Sequence, residues 1–241
     1  MISKNQIKYI KSLQKKGARV EGRCFLVEGI KMIKELLPSD FKIQSLWATE
    51  KGAETFQRNT DFLITPEIIS TKEMERISSL KNPPGILAVV EIPNNTNSDI
   101  ENGHVIVLDG VNDPGNLGGI IRTADWFGIN QIVCSENSVD CYNPKVIQAT
   151  MGGIFRVDVV YTNLSDYLSN IEKPIIGLTL NGEELTTKIT DPSILVFGSE
   201  SHGVSKEIQQ FFTKERWIPK KGKAESLNLG VAVGIVCNQL A

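Results

Sequence analysis

Three glycine-bearing stretches in the C-terminal half carry polar residues at spacings that could build a reaction site. The first covers residues 112–119, NDPGNLGG, and runs into IIRTADWFG. Pro114-Gly115 suits a type II turn, in which the glycine supplies a positive φ. Asn116 can cap the helix that follows, and Gly118 and Gly119 permit close approach of a ligand or another backbone. Arg122 falls early in that helix, where the dipole does not favour a cation, so an incoming anion such as a phosphate would explain it. An ordinary cap and a surface arginine explain the same residues equally well. The second stretch is Gly198-Ser199-Glu200-Ser201-His202-Gly203, a carboxylate between glycines. It could equally be a polar turn whose Glu200 caps the next helix. The third covers residues 219–228, with Lys220, Lys221 and Lys223 ahead of Glu225-Ser226-Leu227-Asn228. There Ser226 is a candidate cap for the last helix, and Asn228 is a polar residue in an otherwise apolar one.

What favours chemistry is the set. Each stretch follows an apolar, strand-like run: VIVLD (105–109), ILVFGS (194–199) and RWIPK (216–220). Further runs are QIVCS (131–135), VDVVY (157–161) and PIIGLTL (174–180), with helical segments between several of them. Continuous rather than alternating apolar character predicts strands covered on both faces, that is, a parallel sheet. Ligands bind outside the carboxyl ends of such strands, where these three loops emerge. Ahead of them, CFLVEGIKMIKELLP reads as a strand, a turn at Gly29 and a helix. SLWATE, DFLITP and GILAVVEIP read as strands, and TKEMERISSL as a helix capped by Thr71. The polar run NNTNSDIENG (94–103) is the linker candidate. The sequence therefore predicts an α/β N-terminal domain over 1–93, a linker over 94–103 and an α/β domain with a parallel sheet over 104–241.

Several chemistries are poorly supported. The glycine order matches neither G-x-G-x-x-G nor a P-loop, which argues against a dinucleotide or ATP site. Ser201-His202 is no hydrolase pair, because neighbours do not set up nucleophile and base and G-x-S-x-G is absent. No metal site is expected: there are two histidines, neither at ligand spacing with a cysteine, and the four cysteines form no C-x-x-C pair. Three of the cysteines lie in apolar stretches and read as reduced core residues, which points to the cell interior. No apolar run approaches the roughly 20 residues of a membrane span, and the N-terminus has no secretory h-region.

The net charge of −2 gives no global attraction to nucleic acid, but its distribution is uneven. Residues 1–20 carry Lys4, Lys8, Lys11, Lys15, Lys16 and Arg19 and no acid. Lys4, Lys8, Lys11 and Lys15 recur at i, i+4, i+7 and i+11, one face of a helix that Ile7, Ile10 and Leu13 could dock. Either a solvated surface or a phosphate-contacting stripe accounts for them.

Together the three loops resemble the signature motifs of the SpoU-type RNA ribose 2′-O-methyltransferases of the SPOUT superfamily. N-x-G-x-x-x-R is met by Asn116, Gly118 and Arg122; G-x-E-x-x-G by Gly198, Glu200 and Gly203. The third motif is met by Ile218, Pro219, Gly222, Glu225, Ser226, Leu227 and Asn228. Residues 1–93 resemble, more loosely, the family's small α/β RNA-binding module through Phe25–Gly29, which raises the weight on Lys4, Lys8, Lys11, Lys15 and Arg19 as RNA contacts. The resemblance implies S-adenosylmethionine as methyl donor, no metal, a C-terminal trefoil knot, a cytoplasmic homodimer with its active site at the interface, and RNA, ribosomal or transfer, as substrate. It implies that Gly198, Ile218 and Leu227 hold the donor through backbone groups, with Glu200 beside them and Thr179, Leu180 and Gly182 lining its pocket. It implies a catalytic surround of Asn116, Arg122, Glu200, Ser226 and Asn228. Two positions depart from the pattern: Lys220 stands where the family has Met, and Gly230 where it often has a second serine. The alternative is a non-catalytic RNA-binding protein retaining the fold.

Overall fold

The computed structural model describes residues 2–60, 62, 64–94 and 103–240. The chain forms two compact units, Met1–Asn95 with Asp140–Phe155, and Thr96–Val139 with Arg156–Ala241. Most of the linker candidate at 94–103 lies outside the described residues.

The first unit is a mixed four-stranded sheet, β1 (Cys24–Glu28), β4 (Ile86–Glu91), β2 (Ile43–Ala48) and β3 (Glu67–Ile68) in that spatial order. Its helices are α1 (Lys4–Ser12), α2 (Lys16–Gly22), α3 (Ile30–Leu36), α4 (Glu50–Arg58) and α5 (Thr71–Ile77). The strand expected at DFLITP (61–66) lies partly outside the described residues. Among the described residues pairing with β2 begins at Glu67, after Pro66, which has no N–H to give a ladder. Helix α5 is capped by Ser70, one residue before Thr71, in a reciprocal box with Glu73.

The single basic helix expected over the first twenty residues is two helices, parted between Leu13 and Lys15, and Arg19 is tied into that break. Its side chain is buried, 2% exposed. Nη1 donates to the carbonyl of Leu13, the residue that ends α1, at 2.8 Å. Nε and Nη2 donate to Asp140 Oδ2 at 2.9 and 2.5 Å. Arg19 is therefore a structural residue, not a phosphate contact, because it is buried and each of its three nitrogens donates inside the unit. Lys15 caps α2 and is not on α1. Lys4, Lys8 and Lys11 remain exposed on α1, while Ile7, Ile10 and Leu13 dock it as expected.

Helix α7 (Pro144–Thr150) packs on the first unit although it falls late in sequence. Tyr142 stacks on Phe25 with ring centroids 4.6 Å apart, and Gln148 Nε2 donates to Glu28 O at 3.0 Å. Glu28 itself is buried and accepts from Ser78 Oγ and from Ser79 N and Oγ.

The second unit is a six-stranded sheet in the order β10 (Lys214–Trp217), β8 (Ile175–Glu184), β9 (Ile194–Gly198), β5 (Val105–Asp109), β6 (Gln131–Ser135) and β7 (Asp158–Thr162). Every pairing in it is parallel. Ile106, Val107, Leu108, Leu195 and Val196 are inaccessible to solvent, as the uninterrupted apolar runs require. Helices α6 (Pro114–Trp126), α8 (Leu164–Ser169), α9 (Lys206–Gln209) and α10 (Leu229–Cys237) complete it. The chain leaves β5 toward β6 but leaves β9 toward β10, on the opposite side. A ligand crevice is expected where adjacent strands diverge in this way. Among the described residues no helix is long and apolar enough to cross a membrane.

Candidate active site

Helix α6 begins where β5 ends. Its cap is Asp113, whose Oδ1 accepts from Asn116 N at 2.8 Å, with Pro114 as the first helical residue. The Asp-Pro pair is thus a helix start rather than a type II turn. Asn116 does not cap, so its amide is free for something else: Nδ2 donates to Glu200 Oε1 at 3.0 Å.

Glu200 is held out by a tight turn. Ser199 and Gly203 exchange main-chain hydrogen bonds of 3.1 and 2.9 Å. A Cβ on Gly198 would lie 1.9 Å from Gly203 C, and Gly203 itself has φ +67°. The two glycines of G-x-E-x-x-G are needed because one packs on the other's backbone, with the glutamate between them.

The third loop delivers Asn228. It caps α10, its Oδ1 accepting from Val231 N at 3.3 Å. Asn228 takes the role expected of Ser226 and is not inside the helix. Its Nδ2 donates to Asn116 Oδ1 at 2.8 Å and to Glu200 Oε1 at 3.0 Å. Leu229 N donates to the same Glu200 oxygen at 3.3 Å. One carboxylate oxygen therefore gathers donors from both helix starts, and the positive end of α10 favours the charge placed there. Glu200 caps the last helix, not the one that follows it in sequence. Helix α10 packs along α6.

The structure thus brings together Asn116, Glu200 and Asn228. Arg122 does not join them. It lies six residues beyond Asn116, about 120° round the helix and about 9 Å along it. It is exposed and, among the described residues, makes no hydrogen bond or ion pair. Its placement two turns in, rather than in the first turn, leaves the dipole argument without force. Trp126 follows one turn on at 84% exposure, and Val231 and Ile235 of α10 are also exposed. Ser226 is exposed and makes no hydrogen bond among the described residues.

Beside β9, a second feature bears on a cofactor. Glu215 and Arg216 are neighbours in β10, yet they pair with Gly177 and Glu183 of β8. Residues 178–182 are therefore left out of that pairing and form a long bulge within β8, a turn-like detour on its β10 side. Leu180 in this turn is 72% exposed, and Leu227 on the third loop is also exposed. Ile218 is half-buried at the end of β10. Sequence reasoning missed Asp113, for which Asp-Pro ahead of a helical run was the available signal.

Ionisation is perturbed away from this cluster. Burial, then Lys173, holds the His104 imidazole below its ordinary range, and its Nδ1 accepts from Ser193 N. Burial pushes the Cys134 and Cys237 thiols up to about 12. Among the described residues no cluster of His, Cys, Asp and Glu could hold a metal ion.

Residues 103–238 match the SpoU rRNA Methylase family, and residues 4–88 match the MRM3-like substrate binding domain. The chain belongs to the SpoU rRNA methylase family. Among its relatives, the 23S rRNA (guanosine(2553)-2′-O)-methyltransferase RlmP of Bacillus subtilis is 28% identical over 99% of this chain and 97% of its own length. A protein from Porphyromonas gingivalis assigned to the TrmH family of RNA methyltransferases superposes with a TM-score of 0.87 at 35% identity, covering 99% of this chain and 98% of that one. An AdoMet-bound rRNA methyltransferase from Sinorhizobium meliloti gives 0.83 at 27% identity, covering 99% and 95%. This SpoU chain is thus matched by such relatives along nearly its whole length, first unit included.

Proposed function

We propose that the protein transfers a methyl group from S-adenosylmethionine to a ribose 2′-hydroxyl in structured RNA, with ribosomal RNA as the substrate and the bacterial cytoplasm as its compartment. The observation that carries this reading is the Asn116–Glu200–Asn228 network, which ties three distant motifs of the family into one constellation. Relatives that act on 23S rRNA along matching lengths support the substrate class.

The residues present fit the donor. The 178–182 turn protrudes beside the strand end at Gly198, and exposed Leu180 and Leu227 offer apolar surface for a flat ring. Among the described residues, the main chain of 218–227 makes no internal hydrogen bond, leaving donors and acceptors available. Thr179, Leu180, Gly182, Gly198, Ile218 and Leu227 would hold the donor, which when bound supplies a methyl group already activated on a sulfonium. Glu200 positions the two asparagines and the start of α10 rather than reacting.

A ribose hydroxyl is a weak nucleophile, so the protein must orient it and ease proton loss. Arg122 does this by clamping the neighbouring phosphate and polarising the hydroxyl; a guanidinium is too basic to serve as an ordinary base. Ser226 and Asn228 fix the ribose. Arg122 reaches the cluster in a homodimer: the face it shares with Trp126, beside Val231 and Ile235, is apolar and exposed as a partner-covered surface would be. A second copy seated there supplies Arg122 to its neighbour's site. The knot of the C-terminal chain belongs to the same reading, supported by the return of α10 onto α6. Lys4, Lys8 and Lys11, with Lys15 past the helix break, contact RNA phosphates.

Calorimetric titration with S-adenosylmethionine and S-adenosylhomocysteine tests the reading. Binding of both is expected, and a folded protein that binds neither would refute it. Arg122→Ala should abolish methyl transfer to rRNA while sparing donor binding.

A further inference from the structure

The proposed donor turn is not self-supporting, and its support lies in a residue outside the family motifs. Thr179 Oγ1 accepts from Asn181 N at 3.1 Å. Its single proton can go to Glu215 Oε1 at 2.9 Å or to Asn181 O at 3.1 Å. The carboxylate is the nearer and stronger acceptor. The far leg of the turn is seated on the same residue. Gly182 has φ +90°, and a Cβ there would lie 2.4 Å from Glu215 O. One position on, Glu183 pairs with Arg216. Two adjacent β10 residues thus clip the two legs of the protruding turn.

We infer that Glu215 is a positioning residue for the methyl donor: through Thr179 and the Gly182 backbone it fixes residues 178–182 in the shape that receives the donor. It acts through the turn and does not touch the reacting atoms. Without the clip, residues 178–182, exposed from Leu180 to Gly182, sample other conformations and binding must reorder them, which weakens affinity. This inference rests on the donor-binding role proposed for Thr179–Gly182.

The test is calorimetric titration of the full chain with S-adenosylhomocysteine. Thr179→Val and Glu215→Ala should each weaken binding about tenfold, the scale of one hydrogen bond to a charged group. The double variant should lose about tenfold as well, not the roughly hundredfold of independent sites. Glu215→Gln keeps an acceptor oxygen and should stay within about threefold of wild type. In turnover, the loss should appear in KM for the donor, with KM for RNA unmoved. Should Glu215→Ala fail to fold, Thr179→Val, similar in shape and only half-buried, probes the same bond. Wild-type affinity in both single variants overturns the clip while leaving the donor site standing, and so does a hundredfold loss in the double. Absence of binding by folded wild-type protein overturns the donor site and the clip with it.

Discussion

Arg19→Met separates a structural arginine from an RNA-binding one. The side chain is 2% exposed and donates three hydrogen bonds, two of them to Asp140 Oδ2. Removing it leaves Leu13 O without its partner and Asp140 without its counter-ion. Breaking a buried pair by deleting one member costs about 3–5 kcal/mol. The Asp140 side chain is 15% exposed and keeps Tyr142 N on its other oxygen, so the lower end applies, about 3 kcal/mol. Asp140→Leu strands the more deeply buried charge and should cost about 4 kcal/mol. The double variant replaces a pair with apolar volume and should cost well under the sum of about 7 kcal/mol, with a coupling of at least about 2 kcal/mol. Equilibrium urea denaturation of the full chain measures all three. RNA binding by the folded Arg19→Met protein, followed against salt, should keep the wild-type slope. Replacing Lys4, Lys8 and Lys11 by Ala should lower that slope by up to about one for each phosphate no longer neutralised. A destabilisation of under about 1 kcal/mol for Arg19→Met, additivity in the cycle, or a reduced salt slope would refute the reasoning.

Glu200→Ala removes the acceptor shared by Asn116, Asn228 and Leu229. Methyl transfer should fall about a hundredfold, the scale of an ångström misplacement, while global stability drops by only about 1–2 kcal/mol because the cluster is solvent-accessible; retained activity would contradict its positioning role. His104 has a folded pKa below its unfolded one. The unfolded chain therefore takes up the proton first, so this residue costs nothing above the unfolded value and costs stability as pH falls through about 6.5 toward the folded value. His104→Asn should flatten the pH dependence of urea midpoints on the acid side, and an unchanged profile would contradict this. The buried thiols of Cys134 and Cys237, raised to about 12, should resist a disulfide reagent at pH 8 in native protein and react on unfolding. Trp126→Glu places a charge on the apolar face of α6 and should convert the proposed dimer to monomer by light scattering, with methyl transfer lost and donor binding kept.

The strands of the second unit were legible because burial on both faces writes itself as continuous apolar sequence, and the parallel sheet followed. Caps were misplaced by one to three positions for a common reason. Asp113, Asn116, Ser226, Asn228, Ser70 and Thr71 are all competent caps, and the choice depends on which side chain the tertiary structure leaves over. Here the leftovers matter. Because Asp113 caps α6, Asn116 is free for a glutamate 84 positions away; because Asn228 caps α10 with its oxygen, its nitrogen reaches both Asn116 and Glu200. No local window contains those pairings. Arg19 failed for the same cause at greater range. Its partner lies 121 positions on, and periodicity read a helix face through the break between Leu13 and Lys15. Motif spacing named Asn116, Glu200 and Asn228 but not the division of labour among them, which the hydrogen bonds assign: Glu200 binds the two helix starts together, while Arg122, exposed and apart from them, joins the cluster only through the proposed dimer.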